Sequence, residues 1–342
     1  MLILLSSALR PRYKDDILRC IAAPPGAKLR FRYEDRLIEP SLRDGGKTGE
    51  AIVCFLNEKA AGSSEAFLIP VRAVVIEKIN VHGTTRTLDL CLGEFAYAEN
   101  LKEFVGEVYK YKPDARPRID LSQKSETGGY WFFEKVESLP LQKGTSLQIW
   151  ERIANQLAEV EQFKSEMYFW TVLGVIEKNQ STQFSESFTA LPEKPLNATK
   201  NYELLIYHFS PTNLRCDPDL KNIIQITYGR FLENVSPAEI EIDSAYDLKQ
   251  VIFKAVNAPR QAEKTYLYIG SKGKWHLELE LSVSSSWLRP IIVFLIIGTT
   301  LALQFAPPLL TKSVLIQGIC SVVLAFVTAG AAVFGIKQSV SD

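Results

Sequence analysis

The pattern of hydrophobic and polar positions divides the chain near residue 286. Before that point short apolar stretches alternate with polar ones; beyond it two long runs carry no charge. In the first part, Met1–Leu5 reads as a buried strand and Tyr13–Ala22 as a short helix with Ile17, Leu18 and Ile21 apolar. Pro24, Pro25 and Gly26 form a turn. Lys28–Tyr33 alternates strictly, with Leu29, Phe31 and Tyr33 on one face and Lys28, Arg30 and Arg32 on the other, the pattern of a half-buried strand. Ala51–Leu56 predicts a buried strand, Phe67–Val81 and Arg86–Phe95 a hairpin around His82 and Gly83, and Tyr130–Val136 a further strand. Asp114–Arg118 reads as an exposed, proline-bounded loop.

Ser146–Lys164 predicts one long helix, its buried stripe marked by Leu147, Trp150, Ile153, Leu157 and Val160. Thr145 and Gln148 fit a capping box at its start. Short strands then recur at regular spacing: Tyr168–Ile176, Glu203–Phe209, Ile223–Tyr228, Val251–Val256, Tyr266–Ile269 and His276–Val283. That rhythm predicts an antiparallel sandwich. The expected organisation is an N-terminal β-rich α+β domain over 1–138, a connecting amphipathic helix over 139–165, a β-sandwich-like domain over 166–285 and a transmembrane helical hairpin over 286–338. The fold class expected is therefore mainly β (α+β), with antiparallel sheets, one long helix and a C-terminal two-helix transmembrane hairpin.

The hairpin expectation rests on Pro290–Ala306, 17 residues without a charge, and Ser313–Ile336, 24 more. A bilayer crossing takes about 20 apolar residues, and spans of about 288–308 and 313–336 meet that length. Pro307 and Pro308 end the first run because neither donates a backbone hydrogen bond. Gly318, Ser321, Ala325, Thr328, Ala332 and Gly335 recur every three or four positions, a seam of small residues, and Gly298 and Ala302 form a shorter pair. Small residues permit close backbone approach between helices in lipid, so the seam predicts hairpin packing and homo-oligomers. Lys272, Lys274, Arg289 and Lys337 flank the side on which both ends lie, against Lys312 alone in the loop. By the positive-inside rule the body and both termini belong in the cytoplasm, with the chain integral to an inner or plasma membrane.

Charge narrows the partners. Removing Arg289, Lys312, Lys337 and Asp342 from the 39 basic and 39 acidic residues leaves 36 and 38, a net of −2 for the body. Non-specific nucleic-acid binding needs excess positive charge, so nucleic acid is not expected. The five cysteines, Cys20, Cys54, Cys91, Cys216 and Cys320, are odd in number and far apart, which excludes a disulfide framework and a zinc site. Met1–Leu9 is apolar but has no basic stretch before it, and Arg10, Pro11 and Arg12 follow at once, so no secretory signal is expected.

Catalytic signatures are absent from the sequence. Gly46, Lys47 and Thr48 resemble the end of a phosphate-binding loop, but Ser41 stands where its first glycine belongs. The three histidines, His82, His208 and His276, read as structural. No cofactor, metal or enzymatic activity is expected. The one polar feature with chemistry is basic: residues 1–48 hold ten Lys or Arg and six Asp or Glu. Arg10, Arg12, Lys28, Arg30 and Arg32 would cluster if the first strands pair, and arginine forks suit phosphates and carboxylates. The plan of a β-rich body on two helices resembles the layout of membrane effectors in bacterial immune systems, a resemblance of layout alone. The function expected is a membrane-anchored effector or sensor whose body binds a protein partner or a small anion and controls assembly of the hairpins. The alternative is a passive membrane-tethered scaffold.

Overall fold

The computed structural model describes residues 1–285 apart from 8–10, 45–46, 58–66, 118, 121–124, 127, 136–137, 165, 167, 179–186, 199, 212–221, 243, 260 and 272–275. The first half of the chain runs β1 (Leu2–Ser7), α1 (Pro11–Ala22), β2 (Lys28–Glu34), β3 (Gly49–Asn57), β4 (Phe67–His82), β5 (Thr85–Tyr97), α2 (Leu101–Tyr109), β6 (Ile119–Asp120), β7 (Ser125–Glu126), β8 (Phe132–Glu134), β9 (Gln142–Gly144) and α3 (Leu147–Ala158). The second half contains β10 (Phe169–Glu177), β11 (Leu196–Asn197), β12 (Asn201–Phe209), β13 (Asn222–Tyr228), β14 (Leu232–Asn234), β15 (Glu239–Ile242), β16 (Tyr246–Ala255), β17 (Glu263–Ser271) and β18 (His276–Ser284).

The first sheet has the order β2-β5-β4-β3-β1-β8, with β9 paired to the far end of β5. Every residue of β1 is buried, as suits a strand paired on both sides, parallel to β3 and antiparallel to β8. Register shifts at Val53/Cys54, Arg72/Val74 and Ile76/Lys78 insert bulges that bend this sheet. Two further sheets follow, β10-β12-β16-β14 and β11-β18-β17-β13-β15. The rings of Tyr228 and Phe253, one from each, lie 6.3 Å apart in a shared core.

Helix α1 packs against β1, β3, β4, β10 and β18 and so joins the first sheet to the other two. Its last carbonyls have no partner within the helix and are met by side chains from three directions. Arg72 Nη1 donates to the Cys20 carbonyl at 3.3 Å, Trp150 Nε1 to that of Ile21 at 2.8 Å, and Thr171 Oγ1 to that of Ala22 at 3.2 Å. Met1–Ala258 and Ala262–Ser284 form one compact unit that contains all of these elements; Pro259–Gln261 and Ser285–Asp342 form a second.

The sequence expectations need correction here. Three α-helices of 12, 9 and 12 residues stand among the described residues: α1 where the short helix was expected, α3 shorter than the long helix expected, and α2, which the pattern did not announce. The expected 146–164 helix stops at Ala158, and Glu161–Phe163 follows as a 3-10 turn. Ser146, not Thr145, caps it, accepting from the Ile149 amide at 3.4 Å. The sheets are not purely antiparallel, since β1 pairs parallel to β3 and β11 to β18.

The transmembrane fold class and the inner- or plasma-membrane localisation are likewise overturned. No helix among the described residues is long and apolar enough to cross a membrane. At 1.5 Å per residue the three helices reach roughly 14–18 Å, short of a hydrocarbon core of about 30 Å. The residues on which the hairpin and its seam were read, Gly298, Ala302, Gly318, Ser321, Ala325, Thr328, Ala332 and Gly335, lie outside the described residues. The structure describes a mainly β protein.

Candidate functional site

Strand β2 is where the sequence and the structure meet most closely. Its alternation places Lys28, Arg30 and Arg32 on the exposed face and buries Phe31 and Tyr33. It ends the first sheet, with β5 on one side and a groove on the other. The groove has a volume of about 620 Å³. Lys28 to Phe31 form one wall, Asp16 and Arg19 of α1 the floor, and Lys264, Tyr266, His276, Glu278 and Glu280 of β17 and β18 the opposite wall. Arg19 ties floor to wall, its Nε donating to the His276 carbonyl at 3.0 Å.

Each basic side chain of the groove meets a carboxylate. Lys28 Nζ lies 2.9 Å from Glu77, Arg30 Nε 2.7 Å from Asp89, Arg19 Nη1 3.2 Å from Asp16 and Lys264 Nζ 2.8 Å from Glu280. Glu77 is the extra residue of the bulge between Ile76 and Lys78, so an irregularity in β4 supplies the partner for Lys28. The Arg30 hydrogen bond holds the Asp89 carboxyl below the usual range, and the bond to Glu77 raises the Lys28 ammonium. Asp16 behaves differently: burial pushes its carboxyl up to about 6, outweighing the lowering by Arg19. Glu278 makes no ion pair among the described residues. Beside it the rings of Tyr266 and Tyr268 lie 6.3 Å apart, and those of Tyr268 and His276 6.1 Å.

Of the five basic residues singled out from sequence, the structure brings Lys28 and Arg30 into the groove. Arg32 continues their row, exposed and without an ion pair among the described residues. Arg12 is apart from the groove, its guanidinium 5.0 Å from the centre of the Tyr13 ring. Arg10 lies outside the described residues. Sequence reasoning missed Asp16, Arg19 and the β17–β18 wall. The break in alternation at Ile76–Glu77–Lys78 was the one local signal for Glu77. The contact between Arg19 and His276 spans 257 positions, and nothing local encodes it.

A hydroxyl and an imidazole also come together at Ser244 and His208. His208 is fully buried, and its Nε2 lies 3.1 Å from the Ser244 carbonyl and 3.3 Å from its hydroxyl. Nε2 thus faces two oxygens of one residue, of which the carbonyl can only accept. The cross-strand neighbour Asp247 is engaged by Lys249 at 2.9 Å and by the Leu248 amide at 2.8 Å. His82 is exposed at the end of β4.

No family model matches the chain, and no curated protein matches it. Among solved structures it is similar to the Vibrio cholerae VesB protease, at 7% identity and a TM-score of 0.17, over 77% of this chain and 96% of that one. A likeness at that score carries no argument about fold or activity.

Proposed function

We propose that this chain is a binding protein that receives a partner protein in the groove between β2 and the β17–β18 wall, acting as a sensor or interaction subunit and not as a catalyst. The observation that supports this most is the groove's composition. Tyr266, Arg19 and Arg30, of the side-chain types that carry most binding energy at protein interfaces, line it together with charges of both signs, five carboxylates against four cations. Its cations are satisfied by carboxylates before any partner arrives, so they steer and select a partner more than they trap a lone anion. The His208 imidazole beside Ser244 is fully buried, which leaves it no open path to a substrate.

Photo-crosslinking in cells tests the reading. A crosslinker replacing Glu278 in the groove should capture a discrete partner, and one replacing Lys254 on β16 should not. Tyr266→Ala should abolish the capture while leaving the thermal transition in place. Equal capture from both positions would reject the groove as the binding surface.

A further inference from the structure

We infer that the groove binds by strand addition: an extended peptide with acidic side chains at alternate positions pairs its backbone with the free edge of β2. This deepens the partner-binding reading and rests on it.

Among the described residues β2 pairs with β5 alone and ends the sheet, so its other edge is open to the groove. The phase of the ladder follows from the Leu92 amide, which donates to the Ala27 carbonyl at 2.9 Å. In an antiparallel pair the bonded positions recur at every second residue. Leu29, Phe31 and Tyr33 therefore turn their amides and carbonyls toward β5, and Lys28, Arg30 and Arg32 turn theirs outward. Four consecutive residues, Lys28 to Phe31, border the groove, so both faces of the strand and the edge between them front onto it. An unpaired strand edge is a template for another strand, and main-chain bonds give such recognition its affinity. From Lys28 to Arg32 the edge runs four residue steps, about 13 Å at roughly 3.3 Å per step, enough to pair about five residues of a peptide.

Side chains give it selectivity. On the outer face around β2, Lys28, Arg30, Arg32 and Lys78 stand against Glu34, Glu77 and Asp89, an excess of one positive charge, and Glu34 at the strand end is already engaged by Arg36. Arg32 and Lys78 are exposed and make no ion pair among the described residues. Every second side chain of an added strand points over this face, where a carboxylate gains charge-assisted hydrogen bonds. The opposite wall has the reverse balance, Glu278 and Glu280 against Lys264. It repels a uniformly acidic chain, so the intervening positions should be aliphatic and neutral.

The test uses the full chain and labelled synthetic octapeptides in fluorescence anisotropy. One alternates glutamate and valine, the second lysine and valine, the third is all glutamate, and the fourth is the glutamate–valine peptide interrupted by two prolines. The glutamate–valine peptide should bind, the lysine and all-glutamate peptides about tenfold more weakly, and the proline peptide not at all. Arg32→Glu, at a position with no ion pair to lose, should weaken binding about fivefold. Arg30→Pro removes an outward amide while sparing the β5 ladder and should abolish binding. Should that variant fail to fold, Arg32→Glu and the proline peptide still decide. Equal binding of the proline peptide or of the lysine peptide overturns strand addition. Rejection of every peptide overturns it too, and marks the basic row as a guard against self-pairing. If crosslinked capture at Glu278 persists while the peptides fail, strand addition is wrong and the groove remains the binding surface. If both fail, the binding reading falls as well.

Discussion

Two arginines separated by one strand of the same sheet are used in opposite ways. Arg72 on β4 is fully buried at the C-terminal end of α1. Its guanidinium lies 3.8 Å from the centre of the Phe95 ring, Nη1 serves the Cys20 carbonyl, and Nε and Nη2 have no hydrogen-bond partner among the described residues. No carboxylate accompanies it among the described residues, and burial pushes its pKa below the ordinary arginine value. The negative end of the α1 dipole supplies the compensation. Arg30 on β2 has a side chain 70% exposed and a carboxylate at 2.7 Å. Buried at a helix end, a guanidinium carries structure; paired in an open groove, it contributes little to folding and is free to serve recognition. The end of α1 and the groove thus separate the charges that hold the fold from those that meet a partner.

The sharpest way to break that separation is at the capped end of α1. Trp150→Ala removes a fully buried ring and the hydrogen bond to Ile21, and should cost about 3–5 kcal/mol in urea unfolding. A loss below about 1 kcal/mol would mean that α1 is anchored elsewhere. Arg72→Ala should follow at about 3 kcal/mol, through a cavity and an orphaned carbonyl. Arg72→Lys should recover only part of it, because an ammonium cannot stack as a planar fork does.

Asp16 lies between the two regions, in the groove floor with its side chain only 23% exposed. Its folded pKa of about 6 lies above the ordinary 3.8, so the folded chain holds this proton where the unfolded chain has lost it. The stability it contributes is full below about pH 4 and gone above about pH 6, and at pH 7 the buried carboxylate is a cost. Asp16→Asn should raise stability at pH 7 by about 2 kcal/mol, and the gain should vanish by about pH 4. A gain independent of pH would assign the effect to packing. The smallest change is expected in the groove wall: Arg30→Ala should alter stability by less than about 1 kcal/mol, and less still in high salt.

Local pattern made half of this legible. The alternation of Lys28–Tyr33 identified β2 and its basic row, and the apolar spacing of Ile17, Leu18 and Ile21 identified α1. The stripe through Trp150, Ile153 and Leu157 identified α3, although Ser146 took the cap. What stayed hidden is what distance in sequence conceals. The parallel pairing of β1 with β3 and the wall built from residues 264–280 depend on tertiary packing, for which periodicity is silent. The uncharged runs beyond residue 286 drew the membrane expectation because apolar length is the strongest single signal a sequence carries.

The separation of fold from recognition is tested most directly in one triple variant, Arg30→Ala, Arg32→Ala and Tyr266→Ala, measured twice in the same preparation: its urea midpoint, and partner capture by a photo-crosslinker at position 278. The account predicts stability within about 1 kcal/mol of the parent and capture abolished. Capture that survives intact, or that falls only in step with unfolding, would contradict it.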